Sequence, residues 1–550
     1  MPRALRVRAL ALAPLVALIV GAGALQFSFL GDRQLFRDEA ASWHLASFPT
    51  QDLLRLSAHE TFPPLYPLLL SAWMTLFGDS EASLRSMSVL AGLGALCVAW
   101  RWARGVASTS GALVAGLVVA VSPAFVSIDR QARMYSLEGL FTVVAWWLTW
   151  LSIARTREWS TVRKAICYCA LAVAVAGEVW TMALGIPTAG LQFVTAVGLA
   201  VWLARRERTM ALASLWAAAA VVMGSLTLIP WLPNLLGVAN GPQPFWTPRP
   251  GIASLPDTAG TWLIGSDAWI PAGIVAAAGL VVGAVGIAAL LLAREAAPAE
   301  DPRAPISPAA LAGLIVAAGL ALVPVVWLYS QFRSVYDSRY FAGLVPLFAV
   351  AVGAGAVAIA RQLKRRGPGR GLRWLGRPGL ALTLVAAPLA VAMLAISFGD
   401  IQTARSDDQV DPARQTASAL SERVHEGDVI LTINAQSYFP LRYYLERTGW
   451  LREHGVRLLD WHTPGNAYFT GWQDIEPSSL VEPSAVARTG WRSALGLGPT
   501  GTIWLTTLVD PSIEFAKFEP LKTGALRVTG SVEIGAGDLS ARICGAAPGS

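Results

Sequence analysis

RSMSVLAGLGALCVAWRWARGVASTSGALVAGLVVAVSPAFVSIDRQARMYSLEGLFTVVAWWLTWLSIARTR runs from Arg85 to Arg157, and its reading decides the fold. Three apolar runs, near 83–100, 108–127 and 136–153, follow one another with only short polar knots between them. The first knot holds Arg101 and Arg104, the second Asp129, Arg130 and Arg133, and Arg155 and Arg157 open the third. A run of roughly 20 apolar residues forms a helix that crosses the ~30 Å hydrocarbon core. No water satisfies the backbone there, so a helix is the form such a run takes. The stretch predicts three consecutive membrane-spanning helices.

The pattern continues on both sides. Further spans are expected near 10–30, 165–183, 188–204, 211–229, 271–293, 308–328, 341–360 and 378–398. The reading is a polytopic α-helical membrane protein of about eleven spans. The opening run MPRALRVRALALAPLVALIVGAGAL has the basic start of a secretory signal, but its apolar length makes it a retained first helix.

Composition agrees. The 550 residues are 54% hydrophobic and 14% charged, against about 25% charged in soluble domains. The deficit ends near residue 400. We therefore expect a transmembrane domain over 1–400 and a soluble α/β domain over 401–550. In the tail, DPARQTASALSERV and YFPLRYYLERTG read as helices, and GDVILTIN, VRLLDW and GTIWLTTL as strands. That alternation favours a small doubly wound sheet. No GxGxxG is present, so no dinucleotide site is argued.

The net charge of +7 does not indicate nucleic acid, because the basic residues sit between apolar runs and form no patch. Cys97, Cys167, Cys169 and Cys544 have neither metal-site nor disulfide-framework spacing and read as small core residues. Lys and Arg give the orientation. With the N-terminus cytoplasmic, inner segments hold 21 of them and outer loops before the tail hold 8. This is the positive-inside bias, and it puts the tail outside a bacterial plasma membrane. The abundance of Ala, Arg and Gly fits a GC-rich bacterial genome.

Two outer loops are long. The first, 31–81, contains LYPLLLSAWMTLFG, which is too short to span and reads as an interfacial helix. The second, 230–270, is rich in Pro and Trp, as suits an interface.

Candidate chemistry gathers at this outer face. Phe36-Arg37-Asp38-Glu39-Ala40 puts two acids beside the membrane, as functional groups or as the acidic start of a helix. His59-Glu60 precedes Thr61-Phe62-Pro63-Pro64-Leu65-Tyr66 and suits an acceptor or a divalent metal, though HExxH is absent. In Asp129-Arg130-Gln131-Ala132-Arg133-Met134-Tyr135-Ser136, two guanidinium forks three residues apart suit a phosphate or lipid headgroups. Arg339 and Tyr340 open a later helix, where free backbone N–H groups also favour phosphate. Glu178 lies inside the fifth span, as a functional acid or as the partner of an arginine.

In order, DEA, PPLYPLLLSAW followed by FGDSEASLR, ARMYS, and DSRY-F-GLVP resemble the bacterial C-type (GT-C) glycosyltransferases of the protein-mannosyltransferase-like class. That class includes the aminoarabinose transferases that modify lipid A. The resemblance covers roughly residues 10–400. It implies transfer of a sugar from a polyprenyl-phosphate carrier to a glycan, lipid or protein acceptor outside the cytoplasmic membrane. It makes Asp38 the catalytic carboxylate, with Glu39 as the second acid of the pair. It gives Arg133 and Arg339 the carrier phosphate, to which Arg130 is added as the neighbouring cation. His59, Glu60, Tyr66, Tyr135 and Tyr340 are the expected substrate contacts. Arg37 before the acids, and His59-Glu60 in place of His-Pro-Pro, depart from the class. No cofactor is required, although His59 and Glu60 leave room for a divalent metal.

The chemistry stands without the resemblance. The leaving group is an anionic phosphodiester, so arginines that neutralise it lower the barrier. The acceptor hydroxyl needs a base, and Asp38 is placed to take its proton. The rival readings are a transporter or lipid flippase and a non-catalytic scaffold. A transporter would show paired broken helices in repeated halves, and no such repeat is visible.

Overall fold

The structure, a computed structural model, describes residues 3–240, 247–265, 272–292, 306–365, 378–406, 412–462, 475–508, 511–534 and 541–548. Its first helices are α1 Arg3–Phe27, α2 Arg37–Ala46, α3 Thr50–Ser57, α4 Leu65–Phe77, α5 Glu81–Val106 and α6 Thr109–Val121. Then come α7 Pro123–Asp129, α8 Tyr135–Ala154, α9 Thr161–Thr181, α10 Gly185–Leu203, α11 Arg208–Leu226 and α12 Leu232–Ala239. They are followed by α13 Ser254–Ile264, α14 Ala272–Leu291, α15 Pro308–Leu320, α16 Leu322–Tyr329, α17 Val345–Arg365 and α18 Pro378–Ser406.

A helix stands at each expected span. Among the described residues, six helices are long and apolar enough to cross a membrane, and α6 with α7 makes a seventh, bent by 58°. The bend has a local cause. Pro123 has no N–H to give the preceding turn, and Ser122 restarts the helix by accepting from the Phe125 N–H. The chain is a multi-pass membrane protein. Arg294, Arg303, Arg366, Arg370, Arg373 and Arg377 of the inner count lie outside the described residues, as do 241–246 and 266–270 of the second outer loop.

Among its described residues that second loop contains two helices, α12 and α13, and Trp262, Leu263 and Ile264 of α13 are buried. The Ser122 hydroxyl, donating to the Trp262 carbonyl, ties it to the bend. The segment LYPLLLSAWMTLF forms α4, and Leu69, Leu76 and Phe77 are exposed on it.

The chain divides into two compact units. Unit one comprises 1–28, 85–233 and 245–400; unit two comprises 29–84, 234–244 and 401–550. The first outer loop thus folds with the tail.

The tail carries α19 Ala413–Ser421, α20 Ala435–Arg447, α21 Trp450–Glu453 and α22 Pro483–Leu495 around one sheet. Its strands are β1 Val429–Thr432, β2 Arg457–Trp461, β3 Leu480–Val481, β4 Ile503–Thr507, β5 Leu526–Ile534 and β6 Ala541–Pro548, in the order β3-β2-β1-β4-β6-β5. The first four run parallel, in doubly wound fashion, and β6 and β5 add an antiparallel edge. All four residues of β1 are buried, as expected for a parallel strand covered on both faces. One face packs Val429, Leu431, Leu459, Ile503 and Leu505 into a core with Leu495 and Phe515.

Candidate active site

Two groups of the expected residues are formed, one in each unit. In unit one, α7 ends in a buried Asp129, whose Oδ2 accepts from Gln26 Nε2 at 2.9 Å. Gly92 makes room for this carboxylate, because a Cβ there would overlap it. Arg130 turns back and donates to the carbonyls of Gln26 at 2.6 Å and Ser28 at 2.7 Å. These carbonyls end α1, so Arg130 caps that helix with its positive charge.

The turn then reaches Arg133, whose carbonyl accepts from Ser88 Oγ at 3.1 Å. Arg133 is buried, and its guanidinium carbon lies 5.9 Å from the centroid of Tyr135. The Tyr135 ring stacks on Tyr340, with centroids 6.0 Å apart and planes 29° from parallel. Arg339 lies over Tyr340 at 5.6 Å. Each guanidinium therefore stands within 6 Å of one ring of the pair.

Local structure sets this arrangement. Asp337 Oδ1 accepts from the Arg339 N–H at 3.0 Å and starts the 3-10 helix Ser338–Leu344. Asp337 Oδ2 also meets Arg339 Nε at 3.1 Å. Tyr336 anchors the preceding segment on α13, with its hydroxyl 2.6 Å from Thr258 Oγ1 and 3.1 Å from the Ser254 carbonyl. Burial raises the pKa of Tyr336, so it remains a phenol. Gly139 on α8 and Gly343 pass backbone to backbone, and a Cβ on Gly139 would lie 2.8 Å from Gly343 Cα. Only glycine permits that approach, which brings Tyr135 and Tyr340 together.

Glu178 is buried, and its partners are neutral. It accepts from Thr142 Oγ1 at 2.6 Å and Gln192 Nε2 at 3.2 Å, while Thr142 also meets Glu138 at 2.9 Å. This network ties α8, α9 and α10 together and is not the arginine pairing weighed from the sequence.

In unit two, the two acids of α2 differ. Glu39 is buried, and its Oε2 accepts from the Phe36 N–H at 2.9 Å, closing the helix start. Asp38 has a side chain 27% exposed and meets Arg37 Nε at 3.3 Å. His59 and Glu60 follow α3 with His59 exposed and Glu60 buried, and Tyr66 is buried in α4. No group of three His, Cys, Asp or Glu side chains with metal-site geometry occurs among the described residues.

Several residues missed from the sequence hold this loop. Leu35 N–H donates to Tyr444 Oη at 2.9 Å, and Arg414 N–H donates to Gln34 Oε1 at 2.8 Å. Glu81 pairs with Arg414 at 2.8 Å and with Arg447 at 3.1 Å. His44 is fully buried with Nε2 3.5 Å from Glu476, which also pairs with Arg442. Burial would raise the Glu476 pKa, but the His44 contact and the Arg442 charge outweigh it and hold the carboxyl well below its usual range. These partners lie far apart along the chain, so no local spacing announced them; the one signal was FGDSEASLR, which contains Glu81.

Residues 61–232 match the family profile described as dolichyl-phosphate-mannose-protein mannosyltransferase. The crystal structure of ArnT from Cupriavidus metallidurans in the apo state superposes with a TM-score of 0.62 at 14% identity, covering 96% of this chain and 97% of that one. The form of the same protein bound to undecaprenyl phosphate gives 0.62 at 14% identity, covering 97% and 98%. The apo oligosaccharyltransferase of Archaeoglobus fulgidus gives 0.52 at 13% identity, covering 91% of this chain and 70% of that one. No curated protein sequence matches the chain. The resemblance read from the sequence holds at the level of fold: this is a C-type membrane glycosyltransferase fold with a sheet-bearing C-terminal region.

Proposed function

We propose that this chain, with its C-type glycosyltransferase fold, transfers a sugar from a polyprenyl-phosphate carrier to an acceptor hydroxyl on the outer face of a bacterial plasma membrane. The observation that carries the reading is the stacked Tyr135–Tyr340 pair with Arg133 beside one ring and Arg339 beside the other. Two forked cations on rigid supports suit a phosphate that must be bound and then released with more charge. The undecaprenyl-phosphate-bound structure of the same fold supports that choice of ligand.

In this reading Asp38 is the general base. The acceptor oxygen attacks the anomeric carbon, its proton passes to the Asp38 carboxylate, and the bond from that carbon to the phosphate oxygen breaks. The carrier phosphate leaves with both bonding electrons, and the arginines stabilise the charge it gains. One direct displacement inverts the anomeric centre. Glu39, the second acid of the pair, is given the helix start, where it is buried and its Oε2 accepts from the Phe36 N–H. The donor is a hexosyl or pentosyl carrier, and the acceptor is a glycan, a lipid or a protein.

The test uses purified protein in lipid with a panel of radiolabelled polyprenyl-phosphate sugars, mannose first, and an Asp38→Asn control. Consumption by the wild type and none by the control, with donor binding retained, supports both the class and the base. Full turnover in the variant removes Asp38 from that role. No consumption across the panel favours a transporter or flippase.

A further inference from the structure

We propose that the C-terminal domain positions the catalytic helix α2, with Tyr444 as the principal positioning residue. This deepens the proposed function, since it matters to catalysis only if Asp38 is the base. The helix has ten residues, and an isolated helix below about 12 residues is marginal in water. Its placement must come from what holds it.

The tail supplies that hold at both ends. Before the helix, the Leu35 N–H is taken by Tyr444 Oη of the tail at 2.9 Å, next to the Phe36 N–H, which the helix's own Glu39 takes at 2.9 Å. Gln34, one residue earlier, is buried and accepts the Arg414 N–H at 2.8 Å. At the far end, Trp43 sits edge-on to Tyr443 with centroids 5.0 Å apart, and His44 meets Glu476 at 3.5 Å.

Glu81 locks the clamp. Its carboxylate pairs with Arg414 and Arg447, and the Tyr444 hydroxyl, accepting from Leu35, lies 3.4 Å from it with a proton to donate. A relay therefore runs from the N–H of Leu35, three positions before Asp38, through the Tyr444 hydroxyl to Glu81. A displacement of about 1 Å in a catalytic group costs on the order of 100-fold in rate. The clamp thus acts on turnover without Tyr444 touching the substrate.

The experiment is Tyr444→Phe in the full-length protein, which keeps the ring and removes the hydroxyl. The expected kcat falls, by up to about 100-fold for a displacement near ~1 Å, with donor KM unchanged, the thermal midpoint lowered only slightly because one buried N–H loses its acceptor, and faster amide exchange across residues 33–40. Gln34→Leu, which removes the acceptor for Arg414, should reproduce the pattern at the same peptide. An unchanged exchange rate in both variants overturns the clamp. A fall in kcat matched by an equal loss of folded protein, or no fall in kcat, overturns its catalytic role. Exchange is read without substrate. If the wild type consumes no donor, the transferase reading fails while the clamp is still judged on exchange alone.

Discussion

Tyr135 and Tyr340 stack with ring centroids 6.0 Å apart, one at the start of α8 and the other in the 3-10 helix that leads into α17. The pair is a joint between two distant chain segments, and it brings Arg133 and Arg339 to neighbouring rings. Lysine keeps the charge of either arginine and loses the fork. Arg133→Lys and Arg339→Lys should each raise donor KM by on the order of tenfold, about 1.4 kcal/mol. Steady-state kinetics on the polyprenyl-phosphate sugar would check this, and an unchanged KM in both would take the phosphate away from these residues.

The acids of α2 should separate under conservative change. Asp38→Asn removes a base and should lower kcat by about 100-fold or more. Glu39→Gln keeps an acceptor for the Phe36 N–H, whose present bond is 2.9 Å, and should retain most activity. Glu39→Ala loses the cap and should cost about 1 kcal/mol of stability. Measured kcat values in the opposite order would exchange the two roles.

Gly139 and Gly343 set the crossing that aligns the tyrosines. A Cβ on Gly139 would stand 2.8 Å from Gly343 Cα, so backbone must move. Gly139→Ala should destabilise the protein by about 1–3 kcal/mol and raise donor KM. Gly190 has nothing within 4 Å of such a Cβ, so Gly190→Ala serves as the control. Equal thermal midpoints and equal KM for the two variants would show that the crossing tolerates a side chain.

The spans were legible because a bilayer dictates the length of every apolar run, and α8 or α10 needs no partner to be recognised. The break at Ser122-Pro123 was hidden inside an evenly apolar run, and α13 inside a segment with Pro and mixed polarity. The motif residues Arg133, Tyr135, Arg339 and Tyr340 could be picked out by type. That they meet depends on two glycines passing each other, which no spacing announces. The folding of the first loop with the tail was invisible for the same reason. Leu35–Tyr444 and Glu81–Arg414 are long-range pairs without a period.

The tail carries a prediction of its own. Asp460, Thr432 and Thr506 stand side by side on β2, β1 and β4, all buried. Asp460 Oδ1 accepts from Thr432 Oγ1 at 2.6 Å. Burial pushes the Asp460 pKa up to about 8, and the Thr432 bond offsets part of that rise. The carboxyl is therefore neutral in the folded state at neutral pH, while in the unfolded chain it ionises near pH 3.9. A folded pKa above the unfolded one means that stability from this group is fully present below about pH 4 and is lost as pH rises to about 8. Asp460→Asn keeps the shape and the acceptor without the titration. Full-length wild type and Asp460→Asn should therefore unfold at similar temperatures near pH 4, with the variant increasingly the more stable up to pH 8 and a constant gap above it. Thermal midpoints across that range measure the gap. A gap that does not change with pH would mean that Asp460 is ionised in the fold and that its burial is relieved by a cation.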